Sequence, residues 1–220
     1  FVYLFSLPIL AFNSSSFLIS QSAFKNYDYE STLFNLNTDE VTFSNNNLLD
    51  KVIAAVITED LNLANKIATK ILLTDNDNQE ANIVKIVYLL SNKKFKEIIE
   101  NRSSFEEKNE LINFIFFNNE ALKDNKIISK SLIDIVVSSF SNADETSLNY
   151  NFLLFYTSLA KIIDTENDRA TLIKGELFQR VDQIQNAKLL FELIKPDSPY
   201  YLDAQISLAI NYSNYSPYEE

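Results

Sequence analysis

The sequence predicts an all-α protein, and three observations carry that prediction. Apolar residues recur at helical spacing along nearly the whole chain after Phe17. The breaks between these stretches are short, polar and rich in Asp and Asn, which suit helix caps and turns. One glycine and four prolines in 220 residues leave little of the turn punctuation that closes β-hairpins.

In chain order, the first segment is an apolar run from Phe1 to Phe12, broken by Ser6 and Pro8. It is too short to span a bilayer, which takes about 20 residues. It fits the apolar core of a signal peptide, with the small polar residues Asn13, Ser14, Ser15 and Ser16 behind it. Residues 1–16 are therefore expected to be a signal-peptide remnant or an N-terminal segment. Export to the periplasm or cell envelope of a bacterium follows from the first reading. A helix packed on the domain of a cytoplasmic protein is the alternative. The sequence holds no Met, so it reads as a trimmed or incomplete reading frame.

The helices follow. Leu48, Leu49, Val52, Ile53, Ala55 and Val56 line one, and Leu61, Ala64, Ile67, Ala68, Ile71 and Leu72 the next. Ile83, Ile86, Val87, Leu89 and Leu90 mark a third, and Leu111, Ile112, Ile115 and Phe116 a fourth. Two more run through Ile127–Phe140 and Phe152–Ile163. The segments "VIAAVI" and "LIDIVV" are rich in β-branched residues that favour strands. Each lies inside a longer helical pattern, so helix is the expectation for both. Breaks such as "TED", "SNKK" and "DTEND" are only a few residues long, so neighbouring helices should form antiparallel hairpins. No linker rich in Pro, Gly or Ser divides residues 17–220, which are expected to be one helical domain.

Composition narrows the chemistry. Cys and His are absent, which removes a thiolate nucleophile, an imidazole base and any Cys/His metal site. A single glycine cannot build a Gly-rich phosphate loop. The carboxylate pairs Glu106/Glu107 and Asp164/Glu166 sit in polar runs, and sequence neighbours on a helix do not face each other. No catalytic residue, cofactor or metal is expected. The net charge of −11 repels phosphate backbones, so nucleic acid is a poor partner. The same acid excess serves solubility.

The one glycine lies in "GELFQRVDQIQNAKLLFELIKPDSPYY", inside an expected helix. From Gly175, an aromatic follows three positions on at Phe178, Ala187 stands twelve positions on, Phe191 four after that, and Pro199 eight after that. This resembles the tetratricopeptide-repeat family, whose units of about 34 residues carry W-x2-L-G-x2-Y, then A-x3-F, then P. One period later the pattern meets Leu208, Ala209 and Tyr212. The resemblance covers Asp168–Glu220, with Thr171 and Gln205 at the Trp position and Lys174 at the first Leu. Upstream, Ala64 and Ala68 occupy the Ala and Phe places, and Ile98 stands one full period after Ala64. Residues 105–167 do not hold the register.

The resemblance implies a right-handed α-solenoid of antiparallel hairpins, a TPR-like superhelix. It assigns Gly175, Phe178, Ala187, Phe191, Pro199, Ala209, Tyr212, Ala64 and Ala68 to packing between helices. It also implies a concave groove that binds a protein or peptide partner, lined by Arg169, Leu172, Glu176, Gln179, Arg180, Asp203, Ile206, Ile210 and Asn214. Earlier helices would add Asn46, Leu49, Ile53, Val56, Glu80, Ile83 and Val87. The expected function is a non-catalytic protein–protein interaction scaffold. A fragment or accessory domain of a helical-toroid hydrolase is the alternative from another class. "SPYY" reads as a helix start, with Ser198 as N-cap and Pro199 at the first position.

Overall fold

The computed structural model describes residues 7–34, 45–102, 105, 112–113, 124–142 and 148–215; of residues 7–15, 45–47, 141–142 and 214–215 it describes the backbone. Among the described residues the regular structure is helical, with no strand. The chain packs as two compact units, Phe1–Ile112 and Asn113–Glu220. The first holds α1 (Leu7–Lys25), α2 (Tyr29–Phe34), α3 (Asn45–Ile57), α4 (Leu61–Leu72), α5 (Gln79–Ser91) and α6 (Phe95–Glu100). The second holds α7 (Asn125–Asn142), α8 (Tyr150–Ile163), α9 (Asp168–Arg180), α10 (Ile184–Leu193) and α11 (Tyr201–Tyr215). Both strand-like segments are helical: "VIAAVI" closes α3 and "LIDIVV" lies within α7. Most of the helix expected over Leu111–Phe116 lies outside the described residues, as does the pair Glu106/Glu107.

The polar breaks start the helices through their side chains. Asp60 accepts from the backbone N–H of Leu63 at 2.9 Å, Asn78 from Ala81 at 3.1 Å, Asn149 from Phe152 at 3.4 Å and Asn167 from Ala170 at 3.0 Å. Each bond satisfies one of the donors that a helix N-terminus leaves open. Ser198 acts one turn ahead of its helix. Its Oγ accepts from the N–H of Tyr200 and its carbonyl from that of Tyr201, so the chain turns at Ser198–Pro199 and α11 begins at Tyr201.

Four turns share one construction. Tyr27, Glu59, Lys93 and Asp182 each have a positive φ, between 57° and 64°. In each case the next residue's N–H reaches the carbonyl five positions back: Asp28 to Ala23, Asp60 to Ala55, Lys94 to Leu89 and Gln183 to Phe178, all within 2.9 Å. The positive-φ residue itself bonds three positions back. This is the Schellman closure, whose left-handed residue is usually glycine. None of the four is glycine here. They join α1 to α2, α3 to α4, α5 to α6 and α9 to α10.

Packing follows chain order. In the first unit α3 touches α1, α2, α4 and α5, and consequently every residue from Lys51 to Ile57 is buried. Ala54, Ala55, Ala64 and Ala68 are fully buried and let α3 and α4 approach closely. The pair α3–α4 recurs as α5–α6: Asn45 and Gln79 open the two first helices at the spacing of one repeat, and Glu59 and Lys93 turn them at the same interval. Ile98, one such interval beyond Ala64, is fully buried like it. In the second unit α8 lies against both α7 and α9 and is buried from Leu153 to Ala160. α9 packs on α10 and α11, and α10 on α11.

Candidate functional site

The residues expected to bind a partner sit on α9 and α11, so the site is built from what fixes those helices. Asn167 caps α9 and its amide also donates to Ser129 Oγ on α7 at 2.7 Å. Ser129 Oγ donates to the carbonyl of Ala160 on α8 at 2.8 Å, and Asn125 donates to that of Ile163 at 3.2 Å. These bonds tie the start of α9 to both earlier helices of its unit.

α9 then runs with three kinds of residue. Leu172 and Phe178 are buried, so they belong to the core; Leu172 is not on an open face. Gly175 is buried against the Phe191 ring of α10, and Ala187 and Phe191 are both fully buried there. Lys174 is also buried, with its amine 6.0 Å from the Phe178 ring. The polar residues lie outward. Glu176 and Arg180 are exposed, and Arg169 and Gln179 are half-buried.

The two arginines are engaged by α7. Arg169 stands 3.5 Å from Asp134, and the Arg180 guanidinium lies 5.5 Å from the Phe140 ring centre. Both contacts pack one helix on another within the unit. The sequence offered no pairing signal for them, because Asp134 and Phe140 lie in the stretch where the repeat register is lost.

α11 presents its apolar residues outward. Leu202 is 69% exposed, Ile206 50% and Ile210 46%, spaced four positions apart along one side of the helix. Ala204 and Leu208, on the other side, are buried. Asp203 is exposed beside this stripe. Partial desolvation pushes the Glu176 carboxyl above the usual carboxylate range; Arg180 pulls it down and Asp203 pushes it up. Glu176 and Asp203 thus act on each other across the α9–α11 contact. Ala209 and Tyr212 follow Gly175 and Phe178 at the spacing of one repeat, yet both are exposed. The Lys188 amine of α10 stands 5.1 Å from the Tyr212 ring. Pro199 is exposed in the turn before α11, and the side chain of Asn214 lies outside the described residues.

The groove residues expected of the earlier helices differ. Ile53, Val56, Ile83 and Val87 are buried in the first unit, Leu49 and Glu80 are half-buried, and the side chain of Asn46 lies outside the described residues. α3 has helices on several sides, so its apolar residues are used internally. Leu202 is a site residue that the repeat motif did not indicate; its spacing of four to Ile206 and Ile210 was the available signal.

Chemically, this face offers exposed hydrocarbon and a pair of neighbouring carboxylates. Asp164, from one of the candidate acid pairs, accepts from the N–H of Glu166 at 3.3 Å and so shapes the turn before α9. Among the described residues no group of three His, Cys, Asp or Glu could hold a metal ion, and no helix is long and apolar enough to cross a membrane. Compared with protein-family models, curated proteins and solved structures, the chain matches none of them.

Proposed function

We propose that the protein is a non-catalytic scaffold of TPR-like antiparallel hairpins, stacked as a right-handed solenoid, that binds a protein or peptide partner on the outward face of α9 and α11. One observation carries the reading: Leu202, Ile206 and Ile210 form an exposed apolar row beside the carboxylates of Glu176 and Asp203. Contiguous exposed hydrocarbon rimmed by polar groups is the surface pattern of an interaction site. The recurrence of the α3–α4 turn at the spacing of one repeat and the contact of Gly175 with Phe191 support the repeat assignment. Export to a bacterial envelope belongs to the same proposal and rests on the apolar run Phe1–Phe12.

The test is capture from envelope extract followed by reconstitution with the purified captured protein. The unaltered chain is compared with a variant carrying Glu176→Ala, Gln179→Ala, Asp203→Ala and Ile206→Ala. A partner that binds the first directly and is lost from an equally well-folded second supports the scaffold. Equal binding to both moves the site off this face.

A further inference from the structure

We propose that the face formed by Leu202, Ile206, Ile210, Glu176 and Asp203 docks a cationic amphipathic helix. The inference rests on the scaffold reading and specifies the partner's chemistry. The apolar row lies along one side of a single helix at intervals of one turn, so a second helix with its own apolar stripe matches it in length and spacing. The charge beside the row is negative. The basic residues of α9 nearest the face, Arg169 and Arg180, are drawn to Asp134 and to the Phe140 ring on α7. Glu176 and Asp203, by contrast, raise each other's cost of ionisation. A lysine or arginine on the flank of a docked helix relieves that repulsion. The net charge of −11 adds attraction at longer range. An acidic or neutral partner would leave the two carboxylates facing each other with less solvent around them.

The experiment uses the full chain and three synthetic helical peptides of about 15–20 residues, long enough for a helix to persist. All share one leucine stripe; their flanks carry lysine, glutamate or glutamine. Binding is read by fluorescence anisotropy at low and high salt. The lysine peptide should bind, weaken as salt rises, and bind at least about tenfold more tightly than the glutamate peptide. Ile206→Ser with Ile210→Ser should cost at least about 100-fold, because two apolar contacts are lost. Glu176→Gln with Asp203→Asn should cost about threefold to tenfold and flatten the salt dependence.

A control, Glu97→Gln with Glu100→Gln, removes the same charge from α6 of the other unit and should leave binding unchanged. Equal loss in that control would overturn the proposal, since binding would then follow net charge alone. If the glutamate or glutamine peptide binds as tightly as the lysine peptide, and depends on Ile206 and Ile210, the scaffold stands and the cationic partner falls. If no peptide binds and the chain is folded by circular dichroism, both readings fall.

Discussion

Gly175 lies against the ring of Phe191, so closely that a Cβ at position 175 would stand 2.5 Å from Cε1 and 2.9 Å from Cδ1. Phe191 is fully buried, so its ring has nowhere to swing. Gly175→Ala should therefore destabilise the protein although alanine is the better helix former. Overpacking costs about 1–3 kcal/mol, and helix propensity returns up to about 1 kcal/mol. A net loss of about 1–2 kcal/mol is expected in urea unfolding. Combined with Phe191→Leu, the loss should be smaller than the sum of the single changes, because the smaller side chain admits the methyl group. Strict additivity would place the two residues out of contact.

The left-handed turn residues make the opposite forecast for glycine. Lys93 holds φ at 57°. That conformation costs an ordinary L-residue about 1–2 kcal/mol. Lys93→Gly should raise stability by up to about 1 kcal/mol, the gain being reduced by the freedom glycine regains on unfolding. Lys93→Val should lower it, since a β-branched residue is least suited to positive φ. Thermal unfolding of the two variants checks the sign; an unchanged midpoint for both would mean that the turn opens without cost.

Two neighbouring residues on α3 give stability opposite dependences on pH. Burial pushes the Lys51 amine down to about 8, with Lys70 adding to the effect. Burial pushes the Asp50 carboxyl up to about 6, with Lys25 opposing. Between about pH 8 and 10.4 the unfolded chain holds a proton on Lys51 that the folded chain lacks, so unfolding free energy rises with pH in that window. Between about pH 4 and 6 the folded chain holds a proton on Asp50 that the unfolded chain lacks, so stability falls as pH rises there. Lys51→Met should flatten the first slope and Asp50→Asn the second. Urea midpoints across both windows decide it; slopes identical to the parent would show that neither group is perturbed.

The helices were legible because their signals are local. Asp60 and Asn78 stand where a cap is needed, and the apolar spacing between them has a helical period. β-branched content misleads at "VIAAVI" only if the longer pattern is ignored. The turns were legible as breaks but not in their construction. A Schellman closure is made by backbone groups, and Tyr, Glu, Lys and Asp announce nothing in common. Lys51 reads as a surface residue by type, yet it is 1% exposed because α3 is enclosed by its neighbours. On the candidate face, Arg169 and Arg180 read as free hands, and only packing reveals their hold on α7. Leu172 lies inward for the same reason: its neighbours in space come from a helix whose register the motif does not reach.

The order in which the helices pack also has a kinetic consequence. Most contacts join helices that are adjacent in sequence, and the rest within each unit skip only one. Closing such short segments costs little chain entropy. Folding of either unit can therefore begin at any adjacent pair and extend outward, without waiting for distant parts of the chain to meet. Low contact order of this kind places the rate in the microsecond-to-millisecond range of small helical proteins.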